Sequence, residues 1–153
     1  MIPKTELRGS LIYNKFFDRD FSRKDYLKLM KDSGKFEKLY KKYIKKILQL
    51  IEKHHNKTWK RKFIPIYIVK NTPYSFSDPL TLRYRDNPKM MLVVLAHELL
   101  HNNSFGKRKF KNSYDLHKYM EPILNKVIRA LPLELKKELD TLNKKTMALT
   151  KKK

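Results

Sequence analysis

Residues 90 to 101 read Met-Met-Leu-Val-Val-Leu-Ala-His-Glu-Leu-Leu-His, an apolar run that ends in three ionisable groups. A helix that is apolar on every side is buried on every side, so the rest of the chain has to pack around this segment. Asp86 or Asn87 can cap it with Pro88 in the first turn, which predicts a helix from Pro88 to His101 or Asn102. At its buried end, unpaired imidazoles and a carboxylate would be costly, and a metal ion removes that cost. His97 and His101, four residues apart, project from one face and can occupy two corners of a zinc tetrahedron. Glu98 then faces water at the ion. Zinc lowers the pKa of that water towards about 7, and a carboxylate beside it can accept its proton during attack on a peptide carbonyl.

The chain has no cysteine, so any metal must be held by His, Asp or Glu, and a thiol nucleophile or disulfide framework is excluded. With 153 residues there is room for one core, and 41% hydrophobic content including 8 Phe, 9 Tyr and 1 Trp is enough to build it. The longest apolar run is far short of the roughly 20 residues of a membrane span. The start, Met-Ile-Pro-Lys-Thr-Glu, lacks the apolar region of a secretory leader, so a cytoplasmic location is expected. A formal charge of +22 would attract nucleic acid non-specifically, but the lysines are spread over nearly every segment rather than gathered on one face.

Along the chain, residues 1 to 34 are the least regular and read as an N-terminal extension with at least one short helix. Phe36, Leu39, Tyr40, Tyr43, Ile44, Ile47, Leu48 and Ile51 then follow helical spacing with lysines opposite, an amphipathic helix of about five turns. Phe63 to Val69 is rich in β-branched and aromatic residues and predicts a strand. Leu80 to Arg85 alternates at period two, predicting a half-exposed edge strand. Asn112 or Ser113 caps a further helix with the stripe Leu116, Met120, Ile123, Leu124, Val127 and Leu131, which Pro132 ends. A last helix covers Leu133 to Leu149. His54 and His55 are adjacent, so they point about 100° apart and cannot pair as helical ligands; they read as exposed or capping groups.

A third metal ligand is needed. His117 and Glu121 both fall on one flank of the later helix's apolar stripe at about 100° per residue, whereas Asp115 falls on its solvated face. Glu134 and Glu138 lie beyond Pro132.

A strand, an edge strand, a helix bearing His-Glu-x-x-His and a later helix with a glutamate resemble the gluzincin branch of zincin metallopeptidases over roughly Lys35 to Leu131. The short length is similar to the minigluzincins. The resemblance implies a zinc metalloendopeptidase with one Zn²⁺ per chain, His97, His101 and Glu121 as ligands and Glu98 as general base. Asn125 falls where larger gluzincins place an Asp that orients a zinc histidine, and His117 is either the alternative ligand or a donor to the oxyanion. Peptide or unfolded protein is the implied substrate, extended along an edge strand. Leu82, Arg83 and Tyr84 are in the segment that fits, and Arg83 and Arg85 would favour acidic side chains.

The expected fold is therefore α+β, a small zincin-like domain that is mostly helical with a short sheet carrying an exposed edge strand. Residues 35–131 form the core, and residues 132–153 supply a C-terminal helix and basic tail. In a further reading the enzyme is latent, with the cleft covered by residues 1–34 or, in preference, by the C-terminal segment. The competing reading, from the charge, is a basic nucleic-acid-associated protein whose zincin core is structural or acts on DNA-bound proteins.

Overall fold

In the computed structural model, which describes residues 1–104 and 110–151, the chain opens with strand β1 (Lys4–Gly9) and helices α1 (Leu11–Phe17), α2 (Arg23–Asp32) and α3 (Gly34–His55). Ser10 starts α1 by accepting from the Tyr13 amide, and a reciprocal Ser22–Asp25 capping box starts α2. The apolar stripe of α3 is buried through Phe36, Tyr40, Tyr43, Ile47, Leu48 and Ile51, and the helix stops where Asn56 turns left-handed at φ 52°. Three strands follow, β2 (Phe63–Val69), β3 (Phe76–Ser77) and β4 (Leu80–Arg83), then α4 (Pro88–Ser104), α5 (Ser113–Arg129) and α6 (Lys136–Lys151). The result is an α+β fold, mostly helical, with one small mixed sheet.

The sheet runs β1-β2-β4-β3. β1 and β4 lie parallel to β2, and only β3 is antiparallel, closing a hairpin with β4. This corrects two expectations. Residues 1–34 are no extension: β1 pairs with β2 over six residues from Lys4↔Phe63 to Gly9↔Ile68, and Phe21 and Leu29 are buried in the core. Leu80 to Arg85 is not one edge strand either: β4 ends at Arg83, has β2 on one side, and is flanked by β3 on the other at Leu80 and Thr81. Alternation reports which faces of a strand are wet; it cannot report which strands stand beside it. Here even Leu80, Thr81 and Leu82 are all buried, so the expected half-exposure begins only at Arg83.

Ile64, Ile66, Ile68, Leu80 and Leu82 are buried on the sheet face that carries α4. On the opposite face Tyr13 of α1 rests its ring 5.0 Å from Tyr67 and hydrogen-bonds Thr81 at 2.8 Å. α4 is the axis of the fold. Every residue from Met91 to Leu100 is buried, as a helix apolar all round requires, and the helix packs on α3, α5, α6, β3 and β4. α5 begins at Asn112, whose side chain accepts from the Asp115 amide at 2.9 Å, and it runs unbroken through Pro122. Pro122 is exposed, so the carbonyl left without a helical donor can turn to water.

Candidate metal centre

The packing of α5 against α4 brings three imidazoles to one point. His101 Nε2 lies 3.0 Å from His97 Nε2 and 3.2 Å from His117 Nε2. Two nitrogens bound at about 2.05 Å to one tetrahedral zinc stand about 3.3 Å apart, so the spacing is that of a ligand set. These three residues form a group able to hold a metal ion. Without a cation the arrangement is poorly satisfied, because a neutral His101 has at most one proton on Nε2 and two nitrogens face it. The ring of His117 is held from behind: its Nδ1–H donates to the Ser113 carbonyl at 2.7 Å, which leaves Nε2 as the lone pair aimed into the cluster. An outer hydrogen bond of this kind is what orients a ligating histidine.

Burial keeps all three rings neutral. Desolvation, then His101 and His117, hold His97 well below the ordinary imidazole value of 6.5. His101 is pushed down to about 4 by burial and by His117. His117 is lowered by burial, with the bond to Ser113 opposing. Neutral imidazole is the ligating form, so the site is electrostatically ready for a cation and hostile to protons. Glu98, 8% exposed on the same helix, is pushed up to about 8 by desolvation, and no cation among the described residues offsets it. A dication at the histidines would draw that carboxyl back towards ionisation.

The remaining expected site residues divide. Glu121 is half-buried on α5 and is not part of the three-histidine group; it lines a small cavity together with His97, His117, Met120 and Leu124. Asn125 is not turned to a histidine: its carbonyl oxygen accepts from Asn143 of α6 at 3.1 Å, tying the two helices together. Asn143, Thr146 and Met147 of α6 complete the cavity wall beside His97 and His117, so the C-terminal helix lies against the histidines.

Two residues that pattern reading passed over, Asn102 and Asn103, and one that it misplaced, His55, also shape this end of α4. Asn102 donates to the Ser77 carbonyl at 3.1 Å and so ties the edge strand β3 to the residue next to His101. His55 is buried, against the expectation of an exposed or capping group, with its Nδ1 bonded to Asn103 and its ring 5.8 Å from Tyr119. The signal was two amides directly after a buried motif, since buried amides must find partners; which partners they find depends on the fold. No family model, curated protein or solved structure matches this chain.

Proposed function

We propose that this protein is a zinc-dependent metallopeptidase in which His97, His101 and His117 hold one Zn²⁺ and Glu98 is the general base. The observation that carries the reading is the convergence of three neutral imidazole Nε2 atoms from two helices, with a buried glutamate adjoining the first of them in sequence. When bound, zinc would supply a water acidified towards a pKa of about 7 and polarise a carbonyl. The chain's own residues supply the rest. Glu98, a buried carboxyl that the dication would draw towards ionisation, would take the proton of that water and return it. The bond from His117 to the Ser113 carbonyl keeps that ring in its ligating tautomer. β3, open on its outer side and tied to α4 through Asn102, takes over from β4 as the edge on which an extended substrate would lie. Placing His117 as third ligand leaves Glu121 at the cavity wall and moves the resemblance from gluzincins towards three-histidine zincins.

The same reading includes latency, because Asn143, Thr146 and Met147 of α6 line the small cavity that also holds His97 and His117. Metal analysis with single substitutions tests the site. One zinc per chain is expected, with His117→Ala weakening zinc by more than the roughly 10- to 100-fold typical of an outer-shell loss and Glu121→Ala keeping occupancy. The opposite pattern returns the third position to Glu121. Glu98→Gln is expected to keep zinc and lower hydrolysis of an unstructured polypeptide by about 10² to 10⁴. Undiminished activity would remove Glu98 from the mechanism.

A further inference from the structure

Lysines that look scattered in the sequence gather on one side of α3. Lys35, Lys38, Lys42, Lys45, Lys46 and Lys53 are all exposed. At about 100° per residue they fall within an arc of about 100°, opposite the buried stripe, along roughly 27 Å of helix. The only other α3 side chain in that arc is Gln49, which is also exposed. The acids of the helix are engaged elsewhere: Glu37 pairs with Lys41 at 2.6 Å, and Glu52 lies 3.7 Å from the N-terminal ammonium. None of the six lysines has an ion-pair partner among the described residues. Like charges three and four residues apart destabilise a helix slightly, so α3 carries a row of repulsions that an anionic partner would relieve.

The make-up of the row selects the partner. Stable attachment to a membrane combines basic groups with an inserted apolar one, and single-stranded nucleic acid is held by rings on which its bases stack. The α3 face offers neither, since none of the large exposed apolar residues is on this helix and its aromatic rings, Phe36, Tyr40 and Tyr43, are buried. A straight row of ammonium groups with one amide among them matches the backbone of a duplex. Along about 27 Å of axis a duplex presents about 16 phosphates, so the row finds anions in any register. We propose that the outer face of α3 is a docking surface for double-stranded nucleic acid, gripping phosphates without reading sequence. The surface uses no residue of the metal centre, so it stands or falls apart from the peptidase reading.

The test is fluorescence anisotropy of the full chain with a labelled duplex of about 20 base pairs and arbitrary sequence, titrated at several salt concentrations. If all six lysines meet phosphates, the logarithm of the binding constant should fall with the logarithm of salt at a slope near about −5, a loss of roughly 10³-fold between about 50 and 200 mM. Lys38→Gln, Lys42→Gln and Lys45→Gln together should flatten the slope by about 3, whereas Arg at the same three positions should preserve it. The matched control is Lys137→Gln, Lys144→Gln and Lys145→Gln, which removes the same charge from exposed positions on α6 and should leave the slope nearly unchanged. Equal flattening by the two triple variants would mean that net charge acts over the whole surface, and would overturn the proposal. So would the absence of duplex binding at low salt, or tighter binding of a single strand of the same length. Binding to phosphatidylserine vesicles that the α3 triple abolishes, with duplex binding untouched by it, would reassign the face to a membrane.

Discussion

Residues 1–34 and residues 132–153 both scatter apolar side chains among lysines, yet they are held to the core by different forces. The first segment contributes β1, whose six pairs with β2 satisfy a row of backbone groups in the middle of the sheet. The second contributes α6, which satisfies its own backbone and is attached through side chains: Leu135 and Leu139 in the core, Asn143 on Asn125, and Glu138 accepting from Asn87 at 3.3 Å. A ladder exposes the partner strand as soon as it is removed. A helix held by a stripe can be shortened from its end one contact at a time, which makes α6 and not β1 the segment that can uncover a site without dismantling the fold.

Deleting residues 1–9 is the largest break in that contrast. It strips β2 of its neighbour from Phe63 to Ile68, and the loss is expected to match the full stability of about 5–15 kcal/mol typical of a domain, so circular dichroism should show no cooperative melt. A cooperative melt with retained zinc binding would make β1 dispensable after all. Ending the chain at Lys145 is the next test, because it removes Thr146 and Met147 from beside His97 and His117 while leaving Leu135 and Leu139 packed. If the covered form dominates, hydrolysis of an unfolded protein should rise roughly tenfold or more at equal zinc occupancy. An unchanged rate with an intact fold would make the end of α6 structural.

Acid and base should act on the α4–α5–α6 end and spare the β1 ladder. His101 has its pKa depressed from 6.5 to about 4, so the unfolded chain binds more protons in that window and stability is lost as pH falls through it. Glu98 is raised from 4.5 to about 8, so its contribution is present below 4.5 and is lost as pH rises towards 8. His97 and His117 shift in the same direction as His101 and outweigh the single carboxyl where the windows overlap. Metal-free protein should therefore melt at lower temperature on either side of about pH 6.5, the ordinary imidazole value. Zinc should erase the alkaline loss and leave the acid one, since protons compete for the ligands. A melting temperature of the metal-free chain that is flat from pH 5 to 8 would count against a desolvated site. The smallest expected effect is that of Asn143→Ala, about 1 kcal/mol or less in a denaturant melt with zinc affinity unchanged, because it removes one part-buried hydrogen bond between α5 and α6.

Much of the site could be read before folding because it lies within one helix. His97, Glu98 and His101 are related by helical geometry alone, and the apolar run before them announces burial, so their joint placement follows from local spacing. His117 and Glu121 were indistinguishable by the same reasoning, one turn apart on one flank of α5. What separates them is the way α5 crosses α4, which lays His117 against His101 and leaves Glu121 at the cavity wall. The edge strand was misplaced for a related reason. Leu80 to Arg85 alternates as an edge strand would, and only the two-residue β3, too short to leave a pattern, shows that another strand lies outside its first two residues.

The amino-acid order by itself determined that α3, α4 and α5 form, that α4 is buried, and that two histidines and a glutamate cluster at its end, because each of these depends on side-chain periodicity within a dozen residues or so of chain. Only the tertiary structure decided that the third imidazole comes from His117, that β1 belongs to the sheet, that β3 is its open edge, and that α6 lies against the histidines. These depend on which surfaces meet across long stretches of chain, and packing free energy summed over many side chains selects that meeting where no local pattern records it.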